Sequence, residues 1–166
     1  VIFDMVSSGA GAQSQHQLAG QYEGDEAYAG ARNFEALEDA VRDVFGPSLV
    51  CPTHNRLGAI KLVVATLLED GQDVPSNGMD VRDALVPRGV SVVDVRDRRD
   101  PVFTGNLILS RLEGCLQEGA VGFIYVEAFA DAHHPVSLAN LLAVKELAGR
   151  YHVPVVLDGT RLIENA

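Results

Sequence analysis

Val153-Pro-Val-Val-Leu-Asp158-Gly-Thr-Arg161 reads as a buried β-strand over 153–157. It delivers a carboxylate, Asp158, and a cation, Arg161, to its C-terminal end. Upstream, Val121-Gly-Phe-Ile-Tyr-Val126 is nearly all apolar, the pattern of a strand covered on both faces. Between the two runs, Ser137 is placed to cap a helix, with Leu138, Leu141, Leu142 and Leu147 expected to face inward and Val136 and Leu141 at staple positions. Strand, helix, strand at this spacing makes a parallel crossover unit, so the chain is expected to be an α/β protein with a mainly parallel sheet flanked by helices.

The same alternation extends towards the N-terminus. A helix is expected over 107–118, closed by Gly119, and a strand over Val90–Val95. The charged stretch 96–100 is expected to be a solvated loop. Residues 72–89 carry Pro75, Gly78, Pro87 and Gly89 and read as loop with at most a short helix. A helix is expected from about Leu57 to Glu69, preceded by a short strand at Leu49-Val-Cys51. Another begins at Asn33 as cap, places Leu37, Val41, Val44 and Phe45 on one face, and ends at Gly46-Pro47. Residues 7–33 read as an arm or loop with one short helix near 12–21. The organisation expected is therefore an arm and interface segment over 1–33 and a sheet domain over 34–166.

Bulk properties narrow the function. The formal charge of −10 over 166 residues argues against nucleic-acid or anionic-membrane binding. No apolar run reaches the ~18 residues of a membrane span. The two cysteines, Cys51 and Cys115, have no paired spacing, which fits a reducing, cytoplasmic compartment. A first residue that is not Met, and a start on an apolar segment, read as an excerpt of a longer chain.

Ligands of parallel sheets bind beyond the C-terminal strand ends. Three such ends, 52–57, 127–134 and 158–161, are expected to converge. Pro52-Thr-His-Asn-Arg-Leu-Gly-Ala59 stands before a helix, where free N–H groups and the helix dipole suit a phosphate; Arg56 adds a charge. Taken alone, the segment reads first as a plain strand-to-helix turn. Asp158 needs a cation or strong donors to stay ionised, and Arg161 is the expected partner, whether for structure or for chemistry. Tyr28, in Gly24-Asp-Glu-Ala-Tyr-Ala-Gly30, carries a phenol suited to acid catalysis or to half-buried packing. Cys51, His54, His133 and His134 raise a metal-binding alternative, but half a motif and an adjacent pair favour loop histidines and a buried thiol.

The blocks Gly24–Gly30, Arg32-Asn33-Phe34, Phe45-Gly46, Pro52-Thr-His54, Pro135-Val-Ser-Leu-Ala-Asn140 and Val155-Val-Leu-Asp158 with Arg161 and Glu164-Asn-Ala166 occur in an order that resembles the β-eliminating lyases, tryptophanase and tyrosine phenol-lyase. The resemblance implies part of an aspartate-aminotransferase-like (fold type I) large domain and a pyridoxal 5'-phosphate cofactor. It implies an amino-acid substrate and a homo-oligomer or complementary chain. It assigns Asp158 to the pyridine nitrogen, Arg161 to the cofactor's phenolic oxygen, and Asn55 and Arg56 to the phosphate turn. Tyr28 would be a general acid reaching across a subunit interface. Glu26 with the Gly9 carbonyl would form a monovalent-cation (K+) site. The family's Gln-Gly-Arg-Gly is here Asn55-Arg-Leu-Gly58, its stacking aromatic falls at Met79, a cofactor-bonding Asn falls on Phe129, and a threonine near the substrate carboxylate falls close to Val6-Ser7. The cofactor-linking lysine would lie beyond Ala166, since Lys61 and Lys145 are the only lysines. The resemblance thus implies a fragment inactive by itself, or a non-catalytic split partner.

Overall fold

The computed structural model describes residues 14–24, 31–46, 48–78, 81, 90–131, 133–160 and 162. The chain divides at His54/Asn55 into two compact units, further along than the 33/34 boundary read from sequence.

In the first unit, helix α1 (Gln15–Glu23) opens with a reciprocal cap. The Ser14 hydroxyl accepts from the Gln17 amide at 3.2 Å, and the Gln17 side chain accepts from the Ser14 amide at 2.7 Å. Helix α2 (Arg32–Phe45) is capped by Ala31 rather than Asn33, with no side-chain cap bond. Gly46, at φ 79°, ends it. The expected apolar face is present, but Val44 and Phe45 are 66% and 59% exposed. Leu49-Val-Cys51 forms no strand, and Leu49 is 93% exposed. Three apolar residues ahead of a proline, which has no N–H to give, are too few to hold a ladder.

The second unit is the α/β layer structure expected. Helix α3 (Arg56–Leu67) leads to strand β1 (Val74–Ser76); then follow β2 (Val92–Asp94), α4 (Leu109–Glu118), β3 (Ile124–Glu127), a two-stranded hairpin of β4 (Phe129–Ala130) and β5 (His134–Pro135), α5 (Leu138–Arg150) and β6 (Val155–Asp158). The main sheet runs β2-β1-β3-β6, every pair parallel. Alternate residues of β3 face opposite sides. Phe123 and Tyr125 pack with Ile60, Val64 and Leu68 around α3, whereas Ile124 and Val126 pack with Leu112, Leu116, Val144 and Leu147 of α4 and α5.

Several elements depart from the sequence reading. Strand β1 is central and fully buried, although its segment reads as loop. Pro75 explains both facts. It has no N–H, and the β1–β3 ladder is correspondingly short, with one register pair, Ser76 with Tyr125, and a bridge between Asp73 and Val121. Helix α4 starts at Leu109 rather than Leu107, because Leu107 instead exchanges two 2.9 Å hydrogen bonds with the Asn140 side chain. In α5, Ser137 caps as expected, at 3.1 Å from the Asn140 amide. Leu138 and Leu142, however, are 70% and 57% exposed, and Val144, Leu147 and Ala148 face inward. Strand β6 is not fully buried: among the described residues it is an edge strand, with Val155 and Leu157 half-exposed.

Arg96 also leaves the solvated loop assigned to 96–100. Its side chain is 5% exposed and paired with Asp131, the residue that turns the β4–β5 hairpin at φ 49°. Arg98 and Arg99 are exposed as expected.

Candidate active site

The site grows from the register of β3 and β6. Glu127 pairs with Asp158 and Tyr125 with Val156, so residues two apart on both strands share one face. Helix α3 lies along that face and begins at the same end of the sheet. Its cap, Asn55, accepts from the Gly58 amide at 2.8 Å. This fixes the first turn and presents Arg56 to the end of β6. Between helix and strands is a cavity of about 290 Å³, lined by Arg56, Ala59, Ile60 and Val63 of α3 and by Tyr125, Val156 and Asp158.

Asp158 is the hub. Its Oδ2 accepts from Arg56 Nε at 2.8 Å, from Arg56 Nη2 at 2.5 Å and from the Tyr125 hydroxyl at 2.6 Å. Its Oδ1 accepts from the Thr160 amide at 3.0 Å and the Thr160 hydroxyl at 2.5 Å. Burial alone would raise this carboxyl, but donation by Thr160, Tyr125 and Arg56 outweighs it and holds the group below the usual carboxylate range. Burial, and then the Asp158 charge, push the Tyr125 phenol well above its ordinary value. The arrangement is therefore an ionised carboxylate beside neutral phenol, facing an apolar-walled space.

Of the residues singled out from sequence, Asn55, Arg56 and Asp158 come together here. Tyr28, Arg161, Glu26, Gly9, Met79, Val6 and Ser7 lie outside the described residues. Among the described residues, the cation paired with Asp158 is Arg56. Phe129 is half-buried in β4. His134 Nδ1 lies 2.7 Å from the Thr104 hydroxyl, Cys51 is exposed and Cys115 half-buried. No group of three His, Cys, Asp or Glu side chains among the described residues is arranged to hold a metal ion. Two site residues escaped the sequence reading. Thr160 has a legible signal, since Asp-Gly-Thr offers the i to i+2 side-chain turn. Tyr125 has a weaker one: it is the single hydroxyl in the otherwise apolar run 121–126.

The sequence model described as β-eliminating lyase matches residues 2–166. The chain belongs to the β-eliminating lyase family. Within it, the chain is similar to the tyrosine phenol-lyase of Intrasporangium calvum, 37% identical over 175 residues, covering 98% of this chain and 37% of that protein. It is also similar to the tyrosine phenol-lyase of Lacrimispora saccharolytica, 34% identical with the same coverage. The chain thus spans 37% of the length of these relatives. Among solved structures, the PLP-bound C–S lyase from Staphylococcus hominis has the same fold, with a TM-score of 0.64 at 10% identity, over 87% of this chain and 39% of that one.

Proposed function

We propose that this chain forms part of a pyridoxal-phosphate-dependent lyase that acts on an amino acid by β-elimination. The observation that carries the reading is Asp158, an ionised carboxylate at the C-terminal end of a parallel strand, facing a cavity beside the start of a helix. The residues present fit the cofactor at two poles. Asp158 suits a protonated pyridine nitrogen, and the first amides of α3 with Arg56 suit a phosphate ester. When bound, the cofactor supplies an electron sink for carbanion chemistry at the substrate's α-carbon.

The chain's own residues hold and move protons around that chemistry. Asp158 would keep the ring nitrogen protonated. Arg161 would serve the cofactor's phenolic oxygen. Tyr28, from a neighbouring subunit, would deliver a proton to the leaving group. Glu26 and the Gly9 carbonyl offer hard oxygens to a monovalent cation such as K+. The setting is a cytoplasmic oligomer; no described helix is long and apolar enough to cross a membrane.

The cofactor-linking lysine is not among these groups. Lys61 on α3 and Lys145 on α5 are both exposed, and neither lines the cavity. The lysine comes from polypeptide outside these 166 residues. A second reading, a non-catalytic partner with a degenerate cofactor site, is favoured by Phe129, whose side chain has no hydrogen-bonding group to offer.

Calorimetric titration with pyridoxamine 5'-phosphate, which needs no lysine, tests the first reading. Saturable binding that Asp158→Ala removes is expected. No binding, even with lysine-bearing polypeptide added, overturns it. Pyruvate release from the 166-residue chain alone is expected to be nil, and turnover would refute the lysine assignment.

A further inference from the structure

The Asp158 carboxylate is crowded. An ionised carboxylate offers about four lone-pair sites, and here Arg56, Tyr125 and Thr160 present five donor atoms to it. A ring N–H entering the cavity must displace a donor. Of these donors Arg56 alone carries a positive charge, so it is the one that an incoming cation repels. It sits on the first residue of α3, its side chain is 38% exposed, and its long stem has many rotamers. Tyr125 is 2% exposed, with its ring packed in the cluster of Ile60, Val64 and Phe123. It cannot leave without opening the core.

The two donors also differ in charge. While Arg56 is on Oδ2 it cancels the carboxylate's charge towards any incoming cation. The neutral hydroxyl of Tyr125 holds the same oxygen in place without cancelling it. Among the described residues, the charged groups acting at this point are Arg56 from α3, Glu127 two residues along β3, and Asp158 itself.

We propose that Tyr125 is a positioning residue, whose buried hydroxyl keeps the Asp158 carboxylate aimed into the cavity and ionised after Arg56 is displaced by the cationic ring nitrogen of a phosphate-bearing pyridine. The proposal rests on the reading of the cavity as a cofactor site and deepens it. Tyr125 acts through Asp158.

The test uses the 166-residue chain and two readouts, neither of them activity. The first is the Asp158 carboxyl titration, followed by carbon-13 NMR without ligand. Arg56→Ala removes the cation and leaves the hydroxyl; the carboxyl is expected to stay below its ordinary range. Arg56→Ala combined with Tyr125→Phe is expected to raise it above its value in Arg56→Ala alone, because burial is then opposed only by Thr160. Thr160→Val, which removes the hydroxyl on the other oxygen, serves for comparison and leaves the Tyr125 effect intact. The second readout is affinity for pyridoxamine 5'-phosphate, expected to fall about tenfold, or ~1.4 kcal/mol, in Tyr125→Phe. Tyr125→Phe keeps the ring and so keeps the core; the β3 amide spectrum verifies this. An unchanged Asp158 titration on losing the hydroxyl in both backgrounds overturns the proposal, as does an affinity change below twofold. Failure of the unsubstituted chain to bind the probe refutes the cofactor reading, and with it the displacement of Arg56. The titration separately decides whether Tyr125 fixes the carboxylate.

Discussion

At the scale of single residues, Asp158 couples the candidate chemistry to stability. Its carboxyl titrates below the usual range in the folded chain, whereas the unfolded value is about 3.9. A depressed folded value means that the unfolded chain takes up a proton first as pH falls. The stabilising contribution is therefore complete above about pH 4 and drains away as pH drops through the folded value. Asp158→Asn lacks this contribution. Urea midpoints measured between pH 5 and pH 3 are expected to fall further for the unsubstituted chain than for the variant, and equal falls would contradict the assignment. Gly105 makes a different single-residue demand. A Cβ there would stand 2.1 Å from the His134 carbonyl oxygen, backbone that has little room to retreat because the Gly105 amide donates to Pro135. Gly105→Ala is expected to lower stability by ~1–3 kcal/mol through overpacking, read from chemical denaturation.

At the scale of elements, the sequence told helix from strand wherever an element carried its own periodicity or cap. Ser137, Gly46 and Gly119 mark ends that the structure reproduces. It failed where the deciding information lay elsewhere in the chain. Strand β1 is short and contains Pro75, so nothing local announces a central strand; its burial comes from β2 and β3 closing around it. Arg96 is buried because Asp131, distant in sequence, answers its charge. Part of the site was legible for a local reason, since a carboxylate ending an apolar strand and a capped turn before a helix are each visible alone. Their union through Arg56 and Tyr125 needs the strand register, which no single segment reveals. Helix α5 shows the same limit, for its leucines lie on two faces and sequence does not say which is covered. Leu147→Ala is expected to cost ~2–5 kcal/mol, whereas Leu142→Ala should stay within about 0.5 kcal/mol. Denaturation of both variants checks the assignment. Asn55→Ala, which removes the α3 cap, is expected to cost ~1 kcal/mol.

At the scale of the whole molecule, the described surface exposes large apolar side chains in three places. Val44 and Phe45 lie along α2, Leu138 and Leu142 along α5, and Val155 and Leu157 on the open edge of β6. The last of these combines apolar side chains with a strand edge that no other described strand covers, the feature that most readily recruits another strand. A formal charge of −10 opposes association at low salt but is screened within ~8 Å at physiological ionic strength. Association is therefore expected to rise with salt as well as with concentration. Leu157→Lys places a charge on the edge at a position already 46% exposed, so it should leave the urea midpoint within about 0.5 kcal/mol of the unsubstituted chain. Sedimentation velocity at increasing salt is the measurement. If the open edge is the contact, Leu157→Lys stays monomeric under conditions where the unsubstituted chain forms larger species. If the variant associates as readily, the contact lies on α2 or α5, and the corresponding substitutions Phe45→Lys and Leu142→Lys locate it.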